Sequence, residues 1–378
     1  MSYEKKILLG ITTVIGGLLL STPIYATGAE PIGKNLEFNN TRHCDSPILK
    51  QFGKIDREQT VIIEGKINPL YCTFTDESYA LKQLRNRVPN TLNLISSKHS
   101  LKEINKSNIT EYKKILNSLS DNSEFFQNDE ELQNFKSFID IYEGYNRNEK
   151  LLEKIKALGN KDKLSKEEKI EIGMLLPYYA PLAVEASLYM QEQLRALRGT
   201  LPDLNAAVRY AEKYAWTPNA DEYGVATSFS NGEVDCTNFA SQILHASGVN
   251  QVVYNNNKYG WWHRKNWLNI HSYSISWINA DVFARYMGVG YTTTNHRSFA
   301  QNIIVGDFIA LDHENNGSWD HMGFVTYRDN AERWYNGRYY QNYIVAQHTS
   351  NYNMWVSEEG NGWELKGDKG GRYGRVRR

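Results

Sequence analysis

Apolar positions recur at spacings of three and four through the first half of the chain and give way to short alternating runs in the second. Leu132, Phe135, Phe138, Ile139 and Tyr142 fall on one helical face, and Leu151, Leu152, Ile155 and Leu158 repeat the pattern before Gly159, a C-cap residue. Ser165 with Glu168 fits a capping box that opens a helix toward Leu176. Pro177 and Pro181 interrupt the pattern, and Ala183 to Leu197 predicts a further helix ended by Gly199. Upstream, Thr60 to Glu64 predicts a short strand among loops marked by Pro31, Pro47 and Pro69. Leu204 to Tyr214 is amphipathic at helical spacing. After Gly248 the pattern becomes loops and short strands. Val305 to Leu311 reads as a turn into a strand, Met322 to Tyr327 as the next strand and Tyr343 to Gln347 as the one after it. Hairpin-like spacing predicts an antiparallel sheet packed against a helix that begins at about Asp235. The fold class is therefore α+β, with a mostly helical N-terminal region.

A chain of 378 residues exceeds one average domain. The expected divisions are a signal peptide over 1–26, a mixed segment over 27–75, a helical region over 76–200 and a sheet-bearing domain over 203–378. Lys5 and Lys6 precede the apolar run Ile7 to Leu20, Pro23 follows, and small residues surround Ala26. That order is a secretory signal with cleavage after Ala26, Gly28 or Ala29. The apolar run is short for a membrane span, so stable insertion after cleavage is not expected, although an uncleaved anchor is the alternative. The expected location is secreted or extracellular, with the cell wall as a place of association. Formal net charge is zero, so nothing in the bulk favours a nucleic-acid partner. The basic ending at Arg372, Arg375, Arg377 and Arg378 reads as a solvated tail.

Candidate chemistry centres on Asp235-Cys236-Thr237-Asn238-Phe239-Ala240-Ser241-Gln242. Phe239, Ile243, Ala240 and Leu244 recur at helical spacing behind a cysteine at the predicted helix start. There, unpaired backbone N–H groups and the helix dipole stabilise a thiolate. A core cysteine has little use for flanking Asp, Thr and Asn. Two histidines follow in order, His321 leading into a strand and His348 ending one. An imidazole takes a thiol proton and returns it to a leaving amine near neutral pH. Cys236, His321 and His348 are the candidate catalytic residues. His245, His263, His271, His296 and His313 read as packing or loop residues, Asp235 as a cap and Asp307 as a turn residue. Trp261, Trp262, Trp267 and Trp277 either line a ligand groove or pack the core. With three cysteines, Cys44 and Cys72 either pair in an exported protein, leaving Cys236 as the odd thiol, or stay reduced.

These residues resemble the bacterial putative amidase domain of Gram-positive secreted proteins over about 203–378. The likeness rests on the Asn205 to Tyr214 helix, Trp216-Thr217-Pro218-Asn219, the Cys236 block, Gly306-Asp307, His321-Met322-Gly323-Phe324-Val325-Thr326 and Gln347-His348-Thr349. More distantly, the order of parts is similar to NlpC-type and CHAP-type cell-wall peptidases. The resemblance implies a papain-like fold and hydrolysis of amide bonds, with peptidoglycan or another peptide as substrate. It implies Cys236 as nucleophile, His321 as general base and His348 as the residue that orients the base, with Asn351 as substitute because the insertion Arg328 to Gln341 lengthens the connection. No cofactor and no metal is expected. Two other readings remain: a non-catalytic wall-binding or adhesion module with a vestigial site, and a zinc site from Cys236, His321 and His348, for which the spacing gives no support. The sequence leaves the oligomeric state open.

Overall fold

The computed structural model describes residues 43–120, 130–159, 161, 163–193, 201–225 and 235–376. The signal-peptide reading, the last part of the predicted 183–197 helix, and Arg377 and Arg378 lie outside them. The chain begins with α1 (Pro47–Lys50), β1 (Ile55–Asp56), the hairpin β2 (Thr60–Ile63) and β3 (Lys66–Pro69), and β4 (Thr73–Phe74). Five helices follow: α2 (Glu77–Arg87), α3 (Pro89–His99), α4 (Ile109–Ser120), α5 (Glu130–Leu158) and α6 (Lys166–Gly173). The two helical patterns of the 132–158 stretch are one continuous helix: no proline separates Tyr142 from Leu151, and Gly144 between them is tolerated, packed where a Cβ would meet the Cys72 carbonyl. Ser165 and Glu168 form the expected reciprocal capping box at α6. Phe52, Phe74, Phe135 and Phe138 pack a local core in this region, and a disulfide joins Cys44 to Cys72.

Then come α7 (Pro181–Gln193), α8 (Leu204–Tyr214), α9 (Ala220–Tyr223) and α10 (Asp235–Ala246). The hairpin β5 (His263–Lys265) and β6 (His271–Tyr273) precedes α11 (Ile275–Ile278), α12 (Ala280–Met287), β7 (Val289–Thr293) and α13 (His296–Asn302). The remaining strands are β8 (Phe308–Asp312), β9 (His321–Arg328), β10 (Arg333–Tyr335), β11 (Arg338–Tyr340), β12 (Tyr343–Gln347), β13 (Tyr352–Trp355) and β14 (Arg372–Val376). Five of them and β7 form one antiparallel sheet in the order β13-β12-β9-β8-β14-β7. The Arg328 to Gln341 insertion folds as its own hairpin, β10 against β11. The molecule is thus mixed helix and sheet with a helical N-terminal region.

Period-two alternation sorts the sheet residues between two cores. Phe308, Ala310, Met322, Phe324, Ala346 and Val376 face α10 and pack with Phe239, Ala240 and Ile243; we call this the near face. Ile309, Leu311, Val325, Tyr343, Val345 and Tyr373 face the other way, against Phe299 of α13 and Trp363; this is the far face. Arg372 departs from the solvated-tail expectation. It lies on an inner strand, 1% exposed, and donates to Asn315 Oδ1 at 2.9 Å and Thr292 Oγ1 at 3.3 Å. A charge so deep is tolerated because its donors are used.

The near-face core continues across residue 203. Ile170, Tyr178 and Met190 belong to it beside Cys236 and Trp319. Tyr178 stacks on Trp319 at 4.6 Å, and its hydroxyl donates to Asp312 Oδ2 at 2.8 Å. Arg285 donates to the Gly173 and Leu176 carbonyls at 2.9 and 3.0 Å while paired with Asp281.

Candidate active site

Every residue of α10 from Asp235 to Leu244 is buried, polar ones included. The one-sided stripe read from the sequence is therefore an underestimate. Side-chain bonds explain how the polar residues are accommodated. Trp277 Nε1 donates to Asn238 Oδ1 at 2.9 Å, Trp261 Nε1 donates to Ser241 Oγ at 2.9 Å, and Tyr210 OH donates to Gln242 Oε1 at 2.9 Å. Asn219 donates to the same Tyr210 hydroxyl at 3.1 Å. The Asn, Ser and Gln of the cysteine block thus dock the helix onto two stacked tryptophans and α8. Trp261 and Trp277 are core residues, whereas Trp267 is exposed.

Cys236 is the second residue of α10 and is 1% exposed, with its sulfur 3.6 Å from Thr237 Oγ1. It forms no disulfide, the other two cysteines being bridged. His348 arrives on the same face from the end of β12. Its Nδ1 bonds Asp235 Oδ2, its Nε2 donates to the Tyr214 carbonyl at 2.8 Å, and its ring stacks on Phe239 at 3.9 Å. Both nitrogens therefore face oxygen acceptors, the Asp235 carboxylate and a backbone carbonyl. Asp235 is therefore more than a cap: its other oxygen accepts from Asn238 Nδ2 at 2.8 Å, and the pair ties the start of α10 to α8 and β12.

His321 stands at the same end of the sheet but on the far face. Its neighbour in parity, Gly323, faces Val345, Trp363 and Ile309. His321 Nε2 bonds Gln347 Oε1 at 2.9 Å. Trp363 Nε1 can only donate, and it reaches the same Gln347 oxygen at 2.7 Å; Gln347 Nε2 donates to the Thr349 and Ser350 carbonyls at 3.1 Å each. These partners fix the amide orientation, so Nε2 of His321 carries the proton and Nδ1 keeps the lone pair. Burial pushes the His321 imidazole down to about 4, which keeps the ring neutral near pH 7. His321 borders a cavity of about 340 Å³ that Gln347, Thr349, Trp363 and Lys366 also line.

The structure thus brings His348 to the helix of Cys236 and sets His321 across the strand from it. The residue that orients His321 is Gln347, which the sequence reading passed over. Its signal was the alternation itself: His321 and Gln347 end antiparallel neighbours on one face. Thr349 and Ser350, both at positive φ of 61° and 69°, make the turn that follows. Two successive non-glycine residues in that region mark strain of roughly 1–2 kcal/mol each, held here by the Gln347 amide. Among the described residues, no group of His, Cys, Asp and Glu is placed to hold a metal ion.

The chain is thus an α+β protein with a cysteine outside any disulfide at a buried helix start, an acid–imidazole pair whose acid is on the same helix and a neutral histidine at a cavity. Residues 202–370 match the family described as "Putative amidase domain". The chain is 33% identical over 130 residues to the uncharacterized protein YhbB of Bacillus subtilis (strain 168), covering 34% of this chain and 38% of that one. It is 30% identical over 138 residues to the uncharacterized protein YjcM of the same organism, covering 34% of this chain and 28% of that one. The matched part therefore spans about a third of each relative's length. No solved structure gives a significant match.

Proposed function

We propose that the chain is a thiol-dependent amide hydrolase in which Cys236 is the nucleophile and His321 the general base. The amidase-family match supports amide hydrolysis in general. The observation that carries the finer reading is the pair of histidine environments at one end of the sheet. His321 keeps a lone pair on Nδ1 and borders a cavity, while His348 has both nitrogens engaged and anchors the helix that presents Cys236. In this reading Nδ1 of His321 removes the thiol proton, the thiolate attacks the amide carbonyl, and the imidazolium returns the proton to the leaving amine. Water then cleaves the thioester with the same base. N–H groups at the start of α10 stabilise the oxyanion. Thiol and base lie on opposite faces of β9 here, so the attacking state requires the end of β9 to turn toward α10.

The substrate of this proposal is a peptide amide of peptidoglycan, and the site of action is outside the cell. The likeness of the motifs to cell-wall peptidases supports the substrate. The Lys5 to Ala26 pattern and the Cys44–Cys72 bridge, which suits an oxidising compartment, support export. No helix among the described residues is long and apolar enough to cross a membrane.

A second reading follows from one observation: His348 shares the face of Cys236. There His348 gives up the Tyr214 carbonyl and acts as base, with Asp235 orienting it. Purified peptidoglycan digested by the protein and by Cys236→Ala, with released fragments read by mass spectrometry, tests the common core of both. The variant should lose activity by roughly 10⁴-fold or more. Undiminished release would exclude the thiol mechanism, and binding without release by either protein would favour a wall-binding module.

A further inference from the structure

The hairpin β5–β6 ends in a turn, Asn266 to Ile270, that carries its apolar side chains outward. Trp267 is 88% exposed, the most exposed large apolar side chain among the described residues, and Leu268 and Ile270 are 54% and 56% exposed. The turn is held by its own bonds. The Asn266 N–H donates to the Ile270 carbonyl at 3.0 Å, and Asn266 Oδ1 accepts from the Leu268 and Ile270 N–H groups at 2.9 Å each. Asn269, at a φ of 60°, makes the reversal and donates to the Asn266 carbonyl at 3.0 Å. Below the turn, His263 Nε2 and His271 Nδ1 bond across the two strands at 2.9 Å. A tip fixed in this way has little conformational freedom to lose on binding. Two other hairpins expose apolar side chains, and both pair them with one another. Ile62 faces Ile67 across β2 and β3, and Trp334 packs edge-on against Tyr339 at 5.2 Å across β10 and β11.

The chemistry of the tip selects its occupant. Three side chains on a protruding turn fall short of the roughly 800 Å² per partner of a stable protein interface. A sugar platform needs polar arms beside the ring, yet Asn266 Oδ1 accepts two bonds within the turn, and Leu268 and Ile270 are aliphatic. A lipid boundary asks for neither area nor polar arms, and tryptophan settles there between headgroups and acyl carbons. The charges agree. No Asp or Glu occurs between Asp235 and Asp281, whereas Lys258, Arg264 and Lys265 do. Glu171 answers Lys258 at 3.4 Å, and Lys265 lines a depression with Asp221 and Glu222 at the root of the hairpin. Arg264 leaves β5 on the opposite face, over the Trp262 ring at 5.1 Å, and among the described residues it makes no ion pair. Its guanidinium stands two residues from the turn and matches a phosphate.

We propose that the Asn266–Ile270 turn docks on the surface of a phospholipid bilayer, with Trp267 and Leu268 entering the boundary of the acyl carbons and Arg264 meeting lipid phosphate. The docking is peripheral and stands apart from the assignment of Cys236. Its consequence is positional. Tyr273 OH donates to the Tyr223 carbonyl at 2.6 Å and Asn238 Nδ2 to the Gly224 carbonyl at 3.3 Å, which links the root of the hairpin through α9 to the start of α10. Three strand residues, about 10 Å, separate that root from the turn, so docking holds the cysteine helix close to the bilayer. The full chain is sedimented with vesicles of phosphatidylglycerol and phosphatidylethanolamine. The native protein should bind, and joint Trp267→Ser and Leu268→Ser substitution should lower binding roughly tenfold or more, as expected for withdrawing two apolar side chains from lipid. Circular dichroism should not change, because both side chains are exposed. Arg264→Gln should weaken binding about fivefold. Trp267→Phe should keep binding yet lose the quenching of tryptophan emission by brominated acyl chains. No sedimentation of the native chain, or equal sedimentation of the native and doubly substituted chains, would overturn the proposal. So would an absence of vesicle binding together with self-association, or retention on purified peptidoglycan, that the double substitution abolishes; those results assign the tip to a second copy or to glycan.

Discussion

The near face of the sheet buries His348 beneath Phe239 and engages both ring nitrogens, whereas the far face, at the same end, turns His321 toward a cavity with one nitrogen unprotonated. The two rings sit on neighbouring antiparallel strands, and their opposite settings follow from alternation on β9 and β12. One ring is tied into the scaffold that holds the cysteine helix. The other is neutral, oriented and next to open space. The difference teaches that a histidine's place in a motif does not fix its task; the acceptors around its second nitrogen do.

The sharpest way to break this comparison is to remove each ring in turn. His321→Ala should lower kcat/KM on solubilised wall fragments by about 10²–10⁴-fold, the usual loss of general acid–base catalysis, with unchanged circular dichroism. His348→Ala should instead lower the unfolding temperature, because it opens a cavity under Phe239 and leaves Asp235 buried beside no partner ring. His348→Asn should restore part of that stability. If His321→Ala turns over normally while His348→Ala is dead yet equally stable, the base is His348 and the second reading holds.

Gln347 sharpens the comparison further. Gln347→Ala frees His321 to turn over and relaxes the Thr349–Ser350 turn, which should cost roughly 10²-fold in kcat/KM through misplacement. Gln347→Glu gives a mark that a merely structural role would not leave. The acid limb of kcat/KM reports the free base, so the native limb should lie near pH 4, with activity present above it and lost below. A carboxylate against His321 favours the protonated ring, so the limb should move upward in the Gln347→Glu variant. A limb that stays in place would remove His321 from the base role.

Much of this was legible beforehand, and for identifiable reasons. The helix carrying Cys236, the Ser165–Glu168 box, the Leu204–Tyr214 helix and the Tyr343–Gln347 strand each announce themselves through local pattern and capping chemistry. The face of each histidine was hidden, because parity depends on which residue begins pairing and β12 carries a register irregularity between Ile344 and Val345. Gln347 was hidden because a glutamine at a strand end has no distinctive spacing. Arg372 was misread because a basic cluster near a terminus is ordinarily solvated, and only the pairing of β14 between β8 and β7 reveals its burial. The crevice lined by Asp140 of α5 and by His313 and Glu314 of the β8–β9 connection gave no signal, since it exists only where the two halves meet.

The smallest expected effect concerns that meeting of the two halves. Tyr178 comes from the helical region, yet it stacks on Trp319 and bonds Asp312. Tyr178→Phe keeps the stack and removes only the hydroxyl. Asp312 would still accept from the Asn316 and Gly317 N–H groups at 2.8 and 2.9 Å, so no bare acceptor results. The cost should therefore be about 1 kcal/mol, the net value of one hydrogen bond. Because the core runs through Ile170, Tyr178, Met190 and Trp319, that loss should lower a single cooperative transition in calorimetry rather than one of two. Peptidoglycan turnover should not change, since Tyr178 touches neither histidine. Two separate transitions, with only the earlier shifted, would show that the helical region and the sheet-bearing domain fold as independent units despite the shared core.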